Sequence, residues 1–157
     1  MTSSQLVPLL ERTLMRRGPD MFADALGKIV AHFGAQMGTL HRLAEDRHLV
    51  LVAATAGIPE PVLAAARRIP VGKGIAGEAA ETGKPVSLCN LQTAETVPPG
   101  ARATGAGGAL CVPVFLGERV VGTLGIGSLE ERVFTPEETE ELAAAARTLA
   151  ALLARTV

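Results

Sequence analysis

Two apolar runs, Ala109–Leu116 and Arg119–Ile126, are separated only by Gly117-Glu118. A two-residue spacer containing glycine between two strand-like runs predicts a β-hairpin. Neighbouring strands joined this tightly must run antiparallel, so the chain is committed to an antiparallel sheet. A second hairpin is predicted upstream. Met37, Thr39 and His41 alternate with Gly38, Leu40 and Arg42, Glu45-Asp46 turns the chain, and His48–Thr55 returns. Leu49, Val50, Leu51 and Val52 form an unbroken apolar run, which fits a strand covered on both faces. Gly57-Ile58-Pro59 ends that strand, and Pro85–Leu88 is a further brief one.

Helical periods flank the hairpins. Ser4 can cap a helix carrying Leu6, Leu9, Leu10 and Leu14, which Gly18-Pro19 ends. A second helix starts near Asp20 with Phe22, Leu26, Ile29 and Phe33 on one stripe and stops at Gly34. Thr135-Pro136-Glu137-Glu138 is a strong helix start, with Thr as cap, Pro at the first position and Glu three residues after the cap. Leu142, Ala145, Leu149, Leu152 and Leu153 supply its apolar stripe. Short helices are expected over Pro61–Arg67 and from Gly74 to Thr82, the latter closed by Gly83. The segment Asn90–Gly108 is rich in Gly and Pro and poor in apolar residues, which predicts a loop that is mobile without ligand. The fold class expected is α+β: a central antiparallel sheet of five to six strands, terminal helices on one face, short helices and loops over a pocket on the other. The stripes of Ser4–Leu14 and Thr135–Leu153 exceed what one sheet face can use, so a homodimer through these helices is expected.

Composition removes several functions. A chain of 157 residues suits one domain. Fifteen basic residues against sixteen acidic give a net charge of −1, without the basic excess of a nucleic-acid domain. There is no Trp and no Tyr, and only four Phe, so base-stacking platforms and aromatic cages are unsupported. Two Cys make no disulfide scaffold and fit a reducing cytoplasm. Met1–Leu14 has no early basic cluster ahead of an apolar core, so no signal peptide is expected, and no apolar run approaches the roughly 20 residues of a membrane helix.

The reactive residues form no catalytic pattern. No G-x-S-x-G, Walker motif or paired-carboxylate constellation occurs, and Arg16-Arg17 and Arg67-Arg68 read as solvated helix ends. His32, His41 and His48 have no metal-ligand spacing, and neither H-x-x-x-H nor C-x-x-C occurs. His32, beside Phe33, reads as a surface or seam residue, and His48 flanks a turn. Gly72-Lys-Gly-Ile-Ala-Gly77 matches G-x-G-x-x-G, but Pro70 interrupts its lead-in and Asn90-Leu91 sit where a dinucleotide site wants an acid. The plainer reading is a tight turn into a helix packed close to the sheet, whose free N–H groups could face an anion. Cys111 lies in the apolar strand Leu110–Val114 and reads as a buried thiol.

Element order and punctuation together resemble the GAF domain family from about Phe22 to Leu153. Four stretches carry the likeness: Met37-Gly-Thr-Leu-His-Arg-Leu; Ile69-Pro-Val-Gly-Lys-Gly-Ile-Ala-Gly with Glu81-Thr-Gly-Lys-Pro-Val; Ala109-Leu-Cys-Val-Pro-Val; and Gly117-Glu-Arg-Val-Val-Gly-Thr-Leu-Gly-Ile with Phe134-Thr-Pro-Glu-Glu. The resemblance implies a small-molecule sensing or regulatory module, with its pocket between the sheet and the middle helices and loops, and terminal helices that often dimerise. It places ligand contacts at Thr39, His41, Thr55, Gly74, Ile75, Ala76, Leu88, Thr104 and Leu110. His41 reads either as a half-buried structural residue or as a ligand or haem contact.

Departures from the family narrow the ligand. Free methionine-R-sulfoxide reductases of this family carry a Cys where Ala76 stands and a catalytic thiol in the loop where Asn90–Gly108 has none; Cys89 and Cys111 remain, with no assigned redox role. The cyclic-nucleotide set Asn-Lys…Phe…Asp-Glu is matched by Phe134 and Glu138, but Gly127 and Ser128 replace Asn-Lys. Cys89 is out of context for bilin attachment. The expectation is therefore a non-enzymatic cytoplasmic sensor without an assigned cofactor, metal, nucleic acid or membrane. A small polar or anionic ligand is expected between Thr39, His41 and the N–H groups of Gly74–Ala76. No effector domain follows Val157, so the output is expected in trans, on a sensor kinase or regulator. The alternatives are a dimerisation module without ligand, and a reductase lacking the usual cysteines.

Overall fold

Both expected hairpins form, and they meet edge to edge. The computed structural model describes residues 3–16, 18–88 and 107–156. Its strands are β1 (Met37–Leu43), β2 (His48–Ala54), β3 (Arg68–Pro70), β4 (Val86–Leu88), β5 (Gly108–Leu116) and β6 (Arg119–Ser128). Its helices are α1 (Ser3–Met15), α2 (Met21–His32), α3 (Glu60–Ala66), α4 (Gly74–Thr82) and α5 (Pro136–Ala154). The six strands make one antiparallel sheet ordered β3-β2-β1-β6-β5-β4. The expected loop from Asn90 through residue 106, with Thr104, and Cys89 lie outside the described residues.

Hairpin turns follow from backbone chemistry. Gly117 adopts φ 64°, the left-handed conformation that closes β5 onto β6. Arg47 takes φ 62° at the end of the β1–β2 turn. The unbroken run in β2 has a local cause: between Leu40–Ala53 and His41–Leu51 the register slips, leaving Val52 as an extra residue. Arg68–Pro70, which read as the end of a helix and a lead-in, forms an edge strand on β2 instead; an edge tolerates the missing Pro70 N–H.

Helices α2 and α5 cover one sheet face, and α1 lies against both of them. Leu26, Ile29, Leu40, Leu110, Val112, Leu124, Leu142, Leu149 and Leu153 belong to one buried cluster. Leu6, Leu10 and Leu14 of α1 join it. The α1 stripe is thus consumed inside the chain, which removes the reason given for expecting a partner subunit over it. The helix start at Thr135 forms a full capping box: the Thr135 hydroxyl accepts from Glu138 N at 3.0 Å and Glu138 Oε1 accepts from Thr135 N at 3.0 Å. Burial pushes the Glu138 carboxyl up, but the Thr135 N–H and the Arg132 guanidinium together hold it below its ordinary value. His32 sits in the seam, its Nε2 2.9 Å from Glu141 Oε2 of α5. Arg67 and Arg68 pair at the surface with Glu60 and Asp46. No helix among the described residues is long and apolar enough to cross a membrane.

Candidate functional site

Glycines reveal which face each row of the sheet presents. A Cβ on Gly38 would lie 2.6 Å from Val30 Cγ2, and one on Gly122 would lie 2.6 Å from Leu153 Cδ2. These positions therefore face the terminal helices at full contact. A Cβ on Gly125 would meet only Thr39 Oγ1 at 3.5 Å and Cys111 Sγ at 3.7 Å, on the opposite face. One on Gly127 would meet Met37 Cγ at 3.0 Å. The register rows Met37–Gly127–Ala109 and Thr39–Gly125–Cys111 thus form a floor of small residues. Glycine inside a strand marks such openings.

Over this floor stand Ile58, Val62, Leu63 and Ala66 of α3 and its lead-in, with Ile75 and Ala76 of α4. They line an open-sided cavity of about 150 Å³. Among its described lining side chains only Thr39 and Cys111 carry a hydroxyl or thiol; the rest are glycine, hydrocarbon or the Met37 thioether. An apolar surface of this kind favours small apolar molecules over water.

The G-x-G segment is explained by its backbone. Gly72 and Gly74 have φ 94° and 69°, and a Cβ on Gly77 would lie 2.7 Å from Pro70 O. All three glycines serve the tight turn and the close seating of α4, as expected. On the outer side of that turn lies a second depression of about 380 Å³, lined by Gly72, Gly74, Ile75, Glu78, Glu81, Thr82, Val86 and Leu88. Glu81 Oε2 is 2.7 Å from where a Gly72 Cβ would sit. The start of α4 therefore faces hydrocarbon on one side and two carboxylates on the other.

Of the residues named from the sequence, Thr39, Ile75, Ala76 and Leu110 are brought together at the cavity. The Leu110 side chain also belongs to the core under the terminal helices. Gly74 and Leu88 line the outer depression. Thr55 is committed elsewhere: its hydroxyl accepts from Gly38 N at 3.0 Å, tying off the β1–β2 ladder. His41 is 2% exposed and outside the lining, with Nε2 2.8 Å from Ala66 O. A carbonyl only accepts, so Nε2 carries the proton and Nδ1 presents its lone pair. Burial pushes the His41 pKa down, against the opposing pull of that bond. Burial disfavours the protonated imidazole that the expected anion contact would use, and Glu78 and Glu81 line the outer side of the helix start.

Cys111 is buried, and burial pushes its thiol up to about 12, against a lesser pull from the Thr123 hydroxyl. At neutral pH it is a thiol rather than a thiolate, without nucleophilic character. No cluster of metal-ligating side chains occurs among the described residues. The described site can enclose and desolvate a small molecule, and offers that molecule no base or nucleophile. Sequence reading missed Met37, Gly125, Gly127 and the α3 residues. The glycine spacing in β6 was the available signal for the floor; nothing local marks the roof.

A family model described as GAF domain matches residues 18–154. No curated protein matches the chain. Among solved structures, the GAF domain of a phosphoenolpyruvate-protein phosphotransferase from Acinetobacter is similar, with a TM-score of 0.81 at 16% identity over 98% of this chain and 95% of that one. The free methionine-R-sulfoxide reductase from Neisseria meningitidis, solved with its substrate, gives 0.79 at 20% identity over 98% and 90%. The GAF domain of a phosphoenolpyruvate-protein phosphotransferase from Coxiella burnetii gives 0.80 at 19% identity over 95% and 90%. At these identities the likeness is one of fold.

Proposed function

This chain belongs to the GAF domain family, and from that premise we propose that it is a non-enzymatic regulatory module that binds a small, largely apolar molecule between its sheet and α3–α4. Occupancy is passed to a partner protein. The observation that carries this reading is the cavity of about 150 Å³ over a floor of Gly125, Gly127 and Ala109. Each ~100 Å² of apolar ligand surface buried there gains about 2.5 kcal/mol before the cost of association. Tighter binding would come from polar contacts added to that body. Helices α3 and α4 form the roof, so a ligand acts first on their seating over the sheet.

Native mass spectrometry of the freshly purified protein tests the reading. A small-molecule adduct is expected, released on denaturation, and absent from Gly125→Val, which fills the floor. Ligand-free protein that also fails to take up toluene at millimolar concentration would set the reading aside in favour of an interaction module without ligand. Likeness to the reductases, with Cys111 in the lining, supports a second reading, thiol-dependent reduction of free methionine-R-sulfoxide. Turnover with a thiol reductant that disappears in Cys111→Ser or Cys89→Ser would put that reading first; no turnover is expected.

A further inference from the structure

Thr39 of β1 and Cys111 of β5 reach the cavity from either side of Gly125, the middle member of their register row. The point where a Gly125 Cβ would sit lies 3.5 Å from Thr39 Oγ1 and 3.7 Å from Cys111 Sγ. The two heteroatoms therefore flank the bare strip of the floor, and they differ in what they have left to offer. Cys111 is buried and shares a side-chain hydrogen bond with Thr123. The Thr39 hydroxyl forms no hydrogen bond among the described residues. Every other described threonine has its hydroxyl in one. Thr13, Thr139 and Thr148 bond the preceding turn of their own helix, and Thr55 ties the β1–β2 ladder. The described lining also carries no charged side chain, so an ion entering it would give up water without gaining a counter-ion.

We propose that the cavity takes an uncharged molecule with an apolar body and one neutral hydrogen-bonding group such as a hydroxyl, and that Thr39 is the residue that recognises that group. The assignment rests on the proposed ligand-binding role of the cavity and specifies the ligand's class. A threonine hydroxyl both donates and accepts, so it can pair with a ligand hydroxyl in either sense. The ligand's polar group lies over Gly125, where the missing side chain leaves the Thr39 hydroxyl open to it. Its apolar body lies against Val62, Leu63, Ile75 and Ala76. One hydrogen bond offsets the desolvation of a neutral hydroxyl, whereas a carboxylate or an ammonium loses far more hydration than one hydroxyl returns. The same hydroxyl thus admits a neutral polar group and, standing alone among hydrocarbon, disfavours an ion.

Toluene, phenol, benzoate and benzylammonium test this at neutral pH, because they share one ring and differ in one group. Their affinities for the full chain and for Thr39→Val are read from titrations of the ¹⁵N-labelled proteins. Valine keeps the branched shape and breaks no hydrogen bond among the described residues, and the amide spectrum reports that the variant is folded. Thr39→Val is expected to weaken phenol about fivefold, the worth of one neutral hydrogen bond, and to leave toluene within about twofold. Benzoate and benzylammonium are expected to bind the parent at least about tenfold more weakly than phenol. Phenol binding the variant as well as the parent, toluene weakened as much as phenol, phenol failing where toluene binds, or either ion binding as well as phenol would each overturn the proposal. Toluene binding to the parent in those cases would leave the cavity's ligand-binding role standing; failure of both toluene and phenol to bind the parent would remove both.

Discussion

The two faces of this sheet are built from the same strands and finished in opposite ways. On the helix side, Leu40, Leu124 and Val112 form one register row beneath α2 and α5, with no space left. Gly38 and Gly122 there lack a side chain because Val30 and Leu153 already occupy the position. On the cavity side, a Cβ on Gly125 would meet nothing closer than 3.5 Å, whereas at Gly127 the Met37 side chain takes up the space. Glycine in a strand therefore has two uses in one molecule: to bring an element close, or to leave room for something else. Only the neighbours across the sheet tell which.

Truncating side chains should expose the contrast most strongly. Leu124→Ala removes a fully buried side chain at the centre of the helix face and is expected to cost about 2–5 kcal/mol. Leu63→Ala, on the half-buried roof of the cavity, should cost about 1 kcal/mol, since most of its surroundings are already empty. Urea unfolding of the two variants reads the difference directly, and equal losses would mean that the cavity face is as tightly packed as the other.

Gly122→Ala comes next. Its Cβ would collide with the His41 carbonyl oxygen as well as Leu153, so a loss of roughly 1–3 kcal/mol is expected from strain and displaced backbone. Thermal unfolding checks it; a variant as stable as the parent would contradict the close packing of α5.

A smaller effect is set by pH. The folded pKa of His41 lies below the unfolded value of about 6.5, so below that pH the unfolded chain binds the extra proton. Stability from this residue is full above pH 6.5 and declines as pH falls toward the folded pKa. Comparing unfolding midpoints at pH 5 and pH 7.5, the decline should be larger in the parent than in His41→Gln. The lowered Glu138 carboxyl acts in a separate window: its contribution is present above about pH 4.5 and lost as pH falls through the folded pKa.

Local chemistry made much of the fold legible. Gly117-Glu118 and the Thr135–Glu138 capping box each state their geometry within four residues. Strand alternation placed Thr39, and the glycine-flanked helix start placed Ile75 and Ala76 at the cavity. Long-range geometry was not legible. That His41 lies buried against Ala66 depends on where α3 returns over the sheet, twenty-five residues further along the chain. That Thr55 holds Gly38 depends on the hairpin register. The α1 stripe was visible, but whether another helix of the same chain or a second copy would cover it could not be read from the stripe itself.

The central claim is that the cavity face exists to hold a small molecule, and Gly125 gives it the most direct test. This residue has no positive φ, and a Cβ there makes only ordinary contacts, so Gly125→Val should fold, at a cost of no more than about 1–3 kcal/mol, while filling the floor. Toluene titrations of ¹⁵N-labelled parent and variant compare the two. The account predicts saturable shifts at Thr39, Ala76, Cys111 and Gly127 in the parent, and at least a tenfold loss of affinity in Gly125→Val, a drop of about 1.4 kcal/mol. Shifts that persist with unchanged affinity in a folded Gly125→Val, or no shifts in the parent, would contradict it.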